Sequence, residues 1–499
     1  MDETYRYHHY VAYVLHRLAF CYPNPNYGAY LSDDAVSAAW QHTAALIERG
    51  DAPSTLNGYV HVPFCPCACL YCMSGSIRTQ RQGAWLEPYL DMVIDEMASL
   101  ADCVANVEVV AAYLGGGTPT ILTVKQLGRL LGALRQHLRL SDGSRITVEA
   151  SPFTMSASKI AALERLGVYE VDVGVQSFDQ EVLDKNQRPQ RAAETAELIA
   201  RLVRSAIPST TVDLMIGMPH QSSESALASV EQAMALGVNG ILLNEFLPLP
   251  NTRFVREGNP YGEAQHQAKR QATAEAEALL GRGGYRATSA GFRRRWSDED
   301  ERRVYRTQET ASLIGFGYGS YSHAWGSLKY QQVYPFERFA RALGASSWLV
   351  DDSGANARQL FQQLLAPRYE RHLAQAPGEP PRYVGVAMTV EREMYTYAYS
   401  HLFDLDPRDF EQRFGRRFEE AFAEPLGVLS ARGLVETDGE RIAIARGDHV
   451  AMRVARSMFV DDEYLRTALD VAGEEYEPSE DYAQRILEIT RSPGRREDQ

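Results

Sequence analysis

From residue 56 to 325, short apolar runs alternate with longer stretches whose apolar positions recur every three or four residues. The short runs predict strands at 58–62, 107–114, 145–149, 169–175, 209–215 and 240–246. The amphipathic stretches between them predict helices at 86–100, 123–138, 156–166, 192–205 and 223–236. Repeated strand-then-helix units imply a parallel sheet with helices outside it. The number of units is nearest six, so the pattern favours an α/β fold with an incomplete (β/α)6 barrel. In such folds the chemistry lies at the C-terminal ends of the strands.

The flanks read differently. Residues 1–55 form an N-terminal helical extension, with helical patterns at 10–20 and 35–48. The barrel is expected over 56–345, and 346–384 form a connecting segment containing the Pro- and Gly-rich stretch 376–381. Residues 385–499 carry helices and then an Asp438-Gly439 pair between apolar runs, which signals a hairpin. That order predicts a winged-helix-like α+β domain covering the substrate, with a polar tail at 492–499.

Charge changes this picture in one respect. The formal net charge of −14 lacks the basic footprint of a general nucleic-acid binder. No run reaches the roughly 20 uncharged apolar residues of a membrane span. With no signal-peptide layout at the start, a cytoplasmic protein is expected.

The cysteines add chemistry. Four of the six fall at Cys65, Cys67, Cys69 and Cys72. Cys65, Cys69 and Cys72 are spaced Cys-x3-Cys-x2-Cys, which can hold three corners of a cubane iron–sulfur cluster and leave one iron open. Tetrahedral zinc is the competing use of four thiolates, although the spacing is cramped beside paired zinc knuckles. Cys67 is read as a bystander. Cys21 and Cys103 are read as ordinary buried thiols.

Other motifs follow the strands in order. Gly115, Gly116, Gly117 and Thr118 form a turn where a backbone can approach a ligand closely. A phosphate loop would also be glycine-rich, but no Gly-Lys-Ser/Thr follows here. Glu149 ends the third predicted strand and can accept charge-assisted hydrogen bonds, or be a plain surface carboxylate. Met215 taken alone is ordinary core, and Arg188 taken alone is a solvated charge. Tyr59 and Tyr71 mean little individually in a chain with 27 tyrosines.

Taken together and in order, these motifs resemble the radical S-adenosylmethionine (SAM) enzymes of the oxygen-independent coproporphyrinogen III dehydrogenase-like subfamily. The likeness runs from about 58 to 325. It implies a radical SAM barrel and a [4Fe-4S] cluster on Cys65, Cys69 and Cys72. SAM chelates the open iron and is split to a 5′-deoxyadenosyl radical. The resemblance assigns Tyr59 to the methionyl end of SAM and Tyr71 to its adenine. Gly115, Gly116, Gly117 and Thr118 fall to its amino group, and Glu149 to the ammonium or ribose. Arg188 falls to the carboxylate and Asp213 to the ribose. Gln176 and Met215 lie against a second SAM. Glu245, Tyr318 and Tyr321 match positions lining the substrate cavity and are the candidate catalytic residues.

Departures choose among the subfamily's members. The dehydrogenase carries a further cysteine where this chain has Ser74. The His-Asn-x-x-Tyr-Trp motif of the heme chaperones is missing from 293–315. The expected function is therefore a class C methyltransferase or cyclopropane synthase, using two SAM molecules on a small-molecule or carrier-bound substrate. Tetrapyrrole decarboxylation, anaerobic heme opening and heme carriage are the alternatives. A reductase, flavodoxin or ferredoxin would supply electrons to a monomer. Arg293, Arg294, Arg295 and Trp296 are either an anion grip or a solvated charge run. His61 and His323 are either acid–base groups or structural.

Overall fold

The computed structural model describes residues 22–25, 28–72, 77–79, 83, 86–248, 252–288, 291–293, 311–333, 382–402, 405–431, 433–437, 441–444, 456, 458–461 and 463–464. The predicted helix at 10–20, the 376–381 stretch, the Asp438-Gly439 turn, Cys21, Ser74, Arg294–Trp296 and the 492–499 tail lie outside the described residues. The chain divides into two compact units.

The larger unit comprises Tyr30–Ala324 and Tyr330–Tyr383. It begins with helix α1 (Asp33–Arg49), capped by Ser32 and stopped by Gly50 in the left-handed region at φ 77°. The barrel then alternates strands and helices: β1 (Thr55–Val62), α2 (Leu86–Ala101), β2 (Glu108–Gly116), α3 (Val124–His137), β3 (Leu140–Ala150) and α4 (Ala157–Arg165). It continues with β4 (Glu170–Gln176), α5 (Ala192–Val203), β5 (Ser209–Ile216), α6 (Ser223–Leu236), β6 (Gly240–Glu245) and α7 (Glu263–Arg282). Every predicted strand and helix of this stretch is present. The pattern was legible because strands covered on both faces become continuous apolar runs: Val60, Val148, Val173, Val212 and Ile241 are all buried. Capping marks the helix starts; α3 carries a capping box in which Thr123 and Gln126 satisfy each other's backbone N–H.

Strands β1 to β6 pair parallel in sequence order. The sheet extends beyond them. Strand β9 (Ser312–Phe316) pairs parallel with β1 on its other side, and β10 (Tyr321–Ala324) pairs antiparallel with β9. At the far edge, β8 (Gly291–Arg293) pairs antiparallel with β6, and β7 (Arg286–Thr288) with β8. The sheet is open rather than closed on itself. Helix α7 and the strands after it were not predicted. Its residues are mostly polar or alanine, so its apolar stripe is faint in the sequence.

The smaller unit comprises Met1–Ala29, Trp325–Lys329 and Val384–Gln499. Its core is aromatic, with Tyr22, Tyr397, Phe410, Phe418, Phe422 and Phe459 among the buried residues. Helices α8 (Val390–His401), α9 (Pro407–Phe414) and α10 (Ala423–Ala431) precede an antiparallel pair, β11 (Val435–Thr437) and β12 (Ile442–Ile444). Arg392 grips Asp461 through Nε at 2.8 Å and Nη2 at 2.9 Å. Tyr22, from the N-terminal segment, is hydrogen-bonded to the same carboxylate. Among the described residues no helix is long and apolar enough to cross a membrane.

Candidate active site

The six parallel strands point their C-terminal ends at one cavity of about 330 Å³. Period-two geometry decides which side chains reach it. On β4, Asp172, Gly174 and Gln176 share one face and all line it; on β5, Asp213 and Met215 do the same. Glu149 arrives from β3 and Glu245 from β6. The loop after β1 adds Cys65, Cys67, Cys69, Tyr71 and Cys72, and the turn after β2 adds Gly116, Gly117 and Thr118.

The thiol side is organised by neighbours. Cys65 Sγ lies 3.3 Å from Thr118 Oγ1. Arg188 Nη1 donates to Cys69 Sγ at 3.6 Å and to the Tyr71 hydroxyl at 2.9 Å. The same guanidinium is fixed by Gln190 Oε1 at 2.6 Å and by the Gly174 carbonyl. Hydrogen bonds from Cys67, with the Arg188 charge as a further cause at Cys69, hold Cys65 and Cys69 below the usual thiol range. The Cys67 thiol is raised by its hydrogen-bonding contacts with both sulfurs.

The carboxylate side is equally fixed. Gly116 N–H donates to Glu149 Oε2 at 3.1 Å, and Tyr113 donates to Oε1 at 2.8 Å. Burial and the nearby Asp172 push Glu149 up to about 7. Gly116 has φ 113°, and a Cβ there would lie 2.9 Å from His61 Nε2, so the turn needs glycine at this position. His61 is held neutral by burial, with its pKa lowered to about 4, and its Nδ1 lies 2.7 Å from the Tyr59 hydroxyl. Glu245 is anchored by Lys269 at 3.4 Å and by the Thr273 hydroxyl at 3.0 Å.

Gln176 is unusual. It is a non-glycine residue at φ 68°. Its buried Oε1 has no hydrogen-bond partner among the described residues. An unsatisfied buried acceptor is costly and suits a ligand group.

Thirteen of the residues singled out from the sequence therefore line one cavity: Cys65, Cys69, Tyr71, Cys72, Gly116, Gly117, Thr118, Glu149, Gln176, Arg188, Asp213, Met215 and Glu245. Tyr59, Gly115, Tyr318 and Tyr321 are outside that lining. Tyr59 stacks on Tyr113 with ring centroids 6.2 Å apart, and Gly115 packs beside Glu149. Sequence reasoning overlooked Asp172, although its phase with Gly174 and Gln176 in an apolar strand was a usable signal. It also overlooked Lys269, for which no local signal exists. A second cavity of about 390 Å³ lies beside Lys269 and Tyr261, but none of the cysteines, the glycine turn or Glu149 line it.

The residues fit a [4Fe-4S] cluster with SAM. Three cysteines on one loop face a cavity with a cationic side chain beside one sulfur, and a glycine turn and a carboxylate stand opposite. Among the described residues no three His, Cys, Asp or Glu side chains gather for a single metal ion, whereas a cubane takes its thiolates on separate irons.

Comparisons with known proteins agree with this chemistry. Residues 59–233 match the model of the radical SAM superfamily. The chain is 26% identical over 459 residues to an oxygen-independent coproporphyrinogen III oxidase of Bradyrhizobium diazoefficiens, covering 88% of this chain and 92% of that one. It is 32% identical over 202 residues to the heme chaperone HemW of Escherichia coli, covering 40% of this chain and 52% of the chaperone. The fold superposes on the coproporphyrinogen III oxidase of Escherichia coli with a TM-score of 0.66 at 23% identity, over 86% of this chain and 93% of that one. Residues 59–233 thus form a radical SAM domain whose cofactors are a [4Fe-4S] cluster and SAM, and the chain shares the fold of a coproporphyrinogen III oxidase.

Proposed function

We propose that this chain is a radical SAM enzyme that oxidises a tetrapyrrole, as the names of its coproporphyrinogen III oxidase relatives suggest, by oxidative loss of a propionate carboxyl group. The observation that carries the reading is the length of the likeness. It extends far beyond residues 59–233, to 92% of a coproporphyrinogen oxidase. A likeness confined to the cofactor-binding part would say nothing about substrate. The methyl and cyclopropane chemistry expected from the sequence draws no such support.

In this reading Cys65, Cys69 and Cys72 hold the cluster, and the cluster with SAM supplies hydrogen-atom abstraction. Glu149 and the turn at Gly115, Gly116, Gly117 and Thr118 bind the SAM amino end. Arg188 takes its carboxylate and Asp213 its ribose, while Tyr59 and Tyr71 flank its two ends. Gln176 offers its buried oxygen to a second ligand beside Met215 and Glu245. Loss of a hydrogen atom from the propionate and of CO2 leaves a vinyl group and one electron, which passes to an external acceptor.

A second reading, methyl or methylene transfer with two SAM molecules, is favoured by Ser74 in place of the dehydrogenase's further cysteine. One experiment separates them: anaerobically reconstituted protein, reductant, methyl-deuterated SAM and coproporphyrinogen III, with products read by mass spectrometry. Unlabelled 5′-deoxyadenosine together with a vinyl product is expected. Deuterated 5′-deoxyadenosine with S-adenosylhomocysteine would replace the proposal with the second reading. Tight heme binding without turnover would replace both with a carrier.

A further inference from the structure

Cys67 belongs to no part of the three-cysteine pattern, yet its sulfur sits between two of the three sulfurs. Its Sγ is 3.6 Å from Cys69 and 3.9 Å from Cys65. It lines the cavity and is only partly buried, so a small oxidant can reach it. A disulfide bond is about 2.05 Å long, and side-chain rotation can close most of the remaining gap to Cys69.

We propose that Cys67 is a resolving cysteine that protects the cluster ligands when the cluster is lost. Peroxide oxidises the Cys69 sulfur to a sulfenic acid and releases water. The Cys67 thiol attacks that sulfur, a second water leaves, and a Cys67–Cys69 disulfide forms; the two electrons have passed to peroxide. The disulfide halts Cys69 before the irreversible sulfinic and sulfonic stages. A disulfide between cysteines two residues apart is strained and easily reduced, so a thiol reductant restores the ligand. With a cluster in place Cys69 is engaged and the bond does not form. This inference stands or falls independently of the substrate.

The test uses the full-length chain with its cluster removed, treated with hydrogen peroxide. Free thiols are then blocked and the protein is digested without reduction for mass spectrometry. Wild type should lose two of its six thiols, show a Cys67–Cys69 crosslink, and recover iron uptake after dithiothreitol. Cys67→Ser, which keeps a hydrogen-bonding hydroxyl beside both sulfurs, and Cys67→Ala, which removes it, should both still take up iron before oxidation. After it they should carry sulfinic Cys69 and recover several-fold less iron. A blocked, unlinked Cys67 in oxidised wild type overturns the proposal, as does equal iron recovery by variants and wild type. Low iron uptake by both variants before oxidation also overturns it and makes Cys67 a ligand.

Discussion

Two glutamates of the barrel unit, Glu96 buried and Glu149 half-buried, are shifted alike and do different work. Burial pushes both Glu149 and Glu96 up to about 7. Glu149 stands at the end of β3 and opens on the cavity. Glu96 lies on α2, 3% exposed and away from the cavity lining. Glu96 accepts from Gly317 N–H at 2.9 Å and from the Tyr383 hydroxyl at 3.1 Å. It thereby holds the turn after β9, where Gly317 has φ 91° and a Cβ would collide with Tyr89. A perturbed carboxyl group therefore marks burial, and only its surroundings tell binding from architecture.

The largest expected effect breaks the comparison at Glu149. Glu149→Gln should weaken SAM binding by roughly ten- to a hundredfold, the value of a charge-assisted hydrogen bond of about 1.5–3 kcal/mol, with little change in stability. Binding of the SAM ammonium needs the ionised carboxylate, so wild-type affinity should rise as pH rises to about 7 and then level off. The variant should lose that dependence. Calorimetric titration on the reconstituted protein across pH measures both.

A smaller effect sharpens the other side. Glu96→Ala leaves the Gly317 N–H without its acceptor and should lower stability by about 1–3 kcal/mol, with SAM affinity within about twofold of wild type. The raised acidity constant also has a sign. Folded Glu96 binds a proton more tightly than unfolded Glu96, so its contribution is fully present below about 4.5 and declines as pH rises to about 7. Glu96→Gln, which keeps an acceptor without a charge, should flatten that decline in denaturant titrations. A SAM defect in Glu96→Gln as large as that of Glu149→Gln would erase the distinction.

The smallest effect lies at the surface. Asp33 pairs with Arg382, whose charge acts on Glu96. The Asp33 side chain is 59% exposed, so Asp33→Asn should change thermal stability by less than about 0.5 kcal/mol.

Much of the site was legible because its signals are local. The cysteine spacing, the Gly115–Gly117 turn and the strand-end Glu149, Gln176 and Asp213 all sit in short motifs, and the alternation of strands brings their ends together. Tyr318 and Tyr321 were harder. The resemblance puts them at the substrate cavity, but beside them Gly315 belongs to β9 and Gly317 turns on the Glu96 carboxylate. Asp172 was legible in phase and overlooked. Lys269 was not legible, since a lysine on a polar helix carries no mark of the Glu245 it reaches.

The sequence by itself determined the six parallel βα units, the superfamily's cysteine loop and the cavity-facing phase of each strand, because those depend on periodicity and spacing within a few residues. Tertiary structure alone decided that β9 extends the sheet beside β1 and that Lys269 anchors Glu245. It also decided that Cys67 lies between the Cys65 and Cys69 sulfurs and that Glu96 holds a turn while Glu149 faces the cavity. Those outcomes depend on which distant groups share a low-dielectric interior, and no local pattern encodes that neighbourhood.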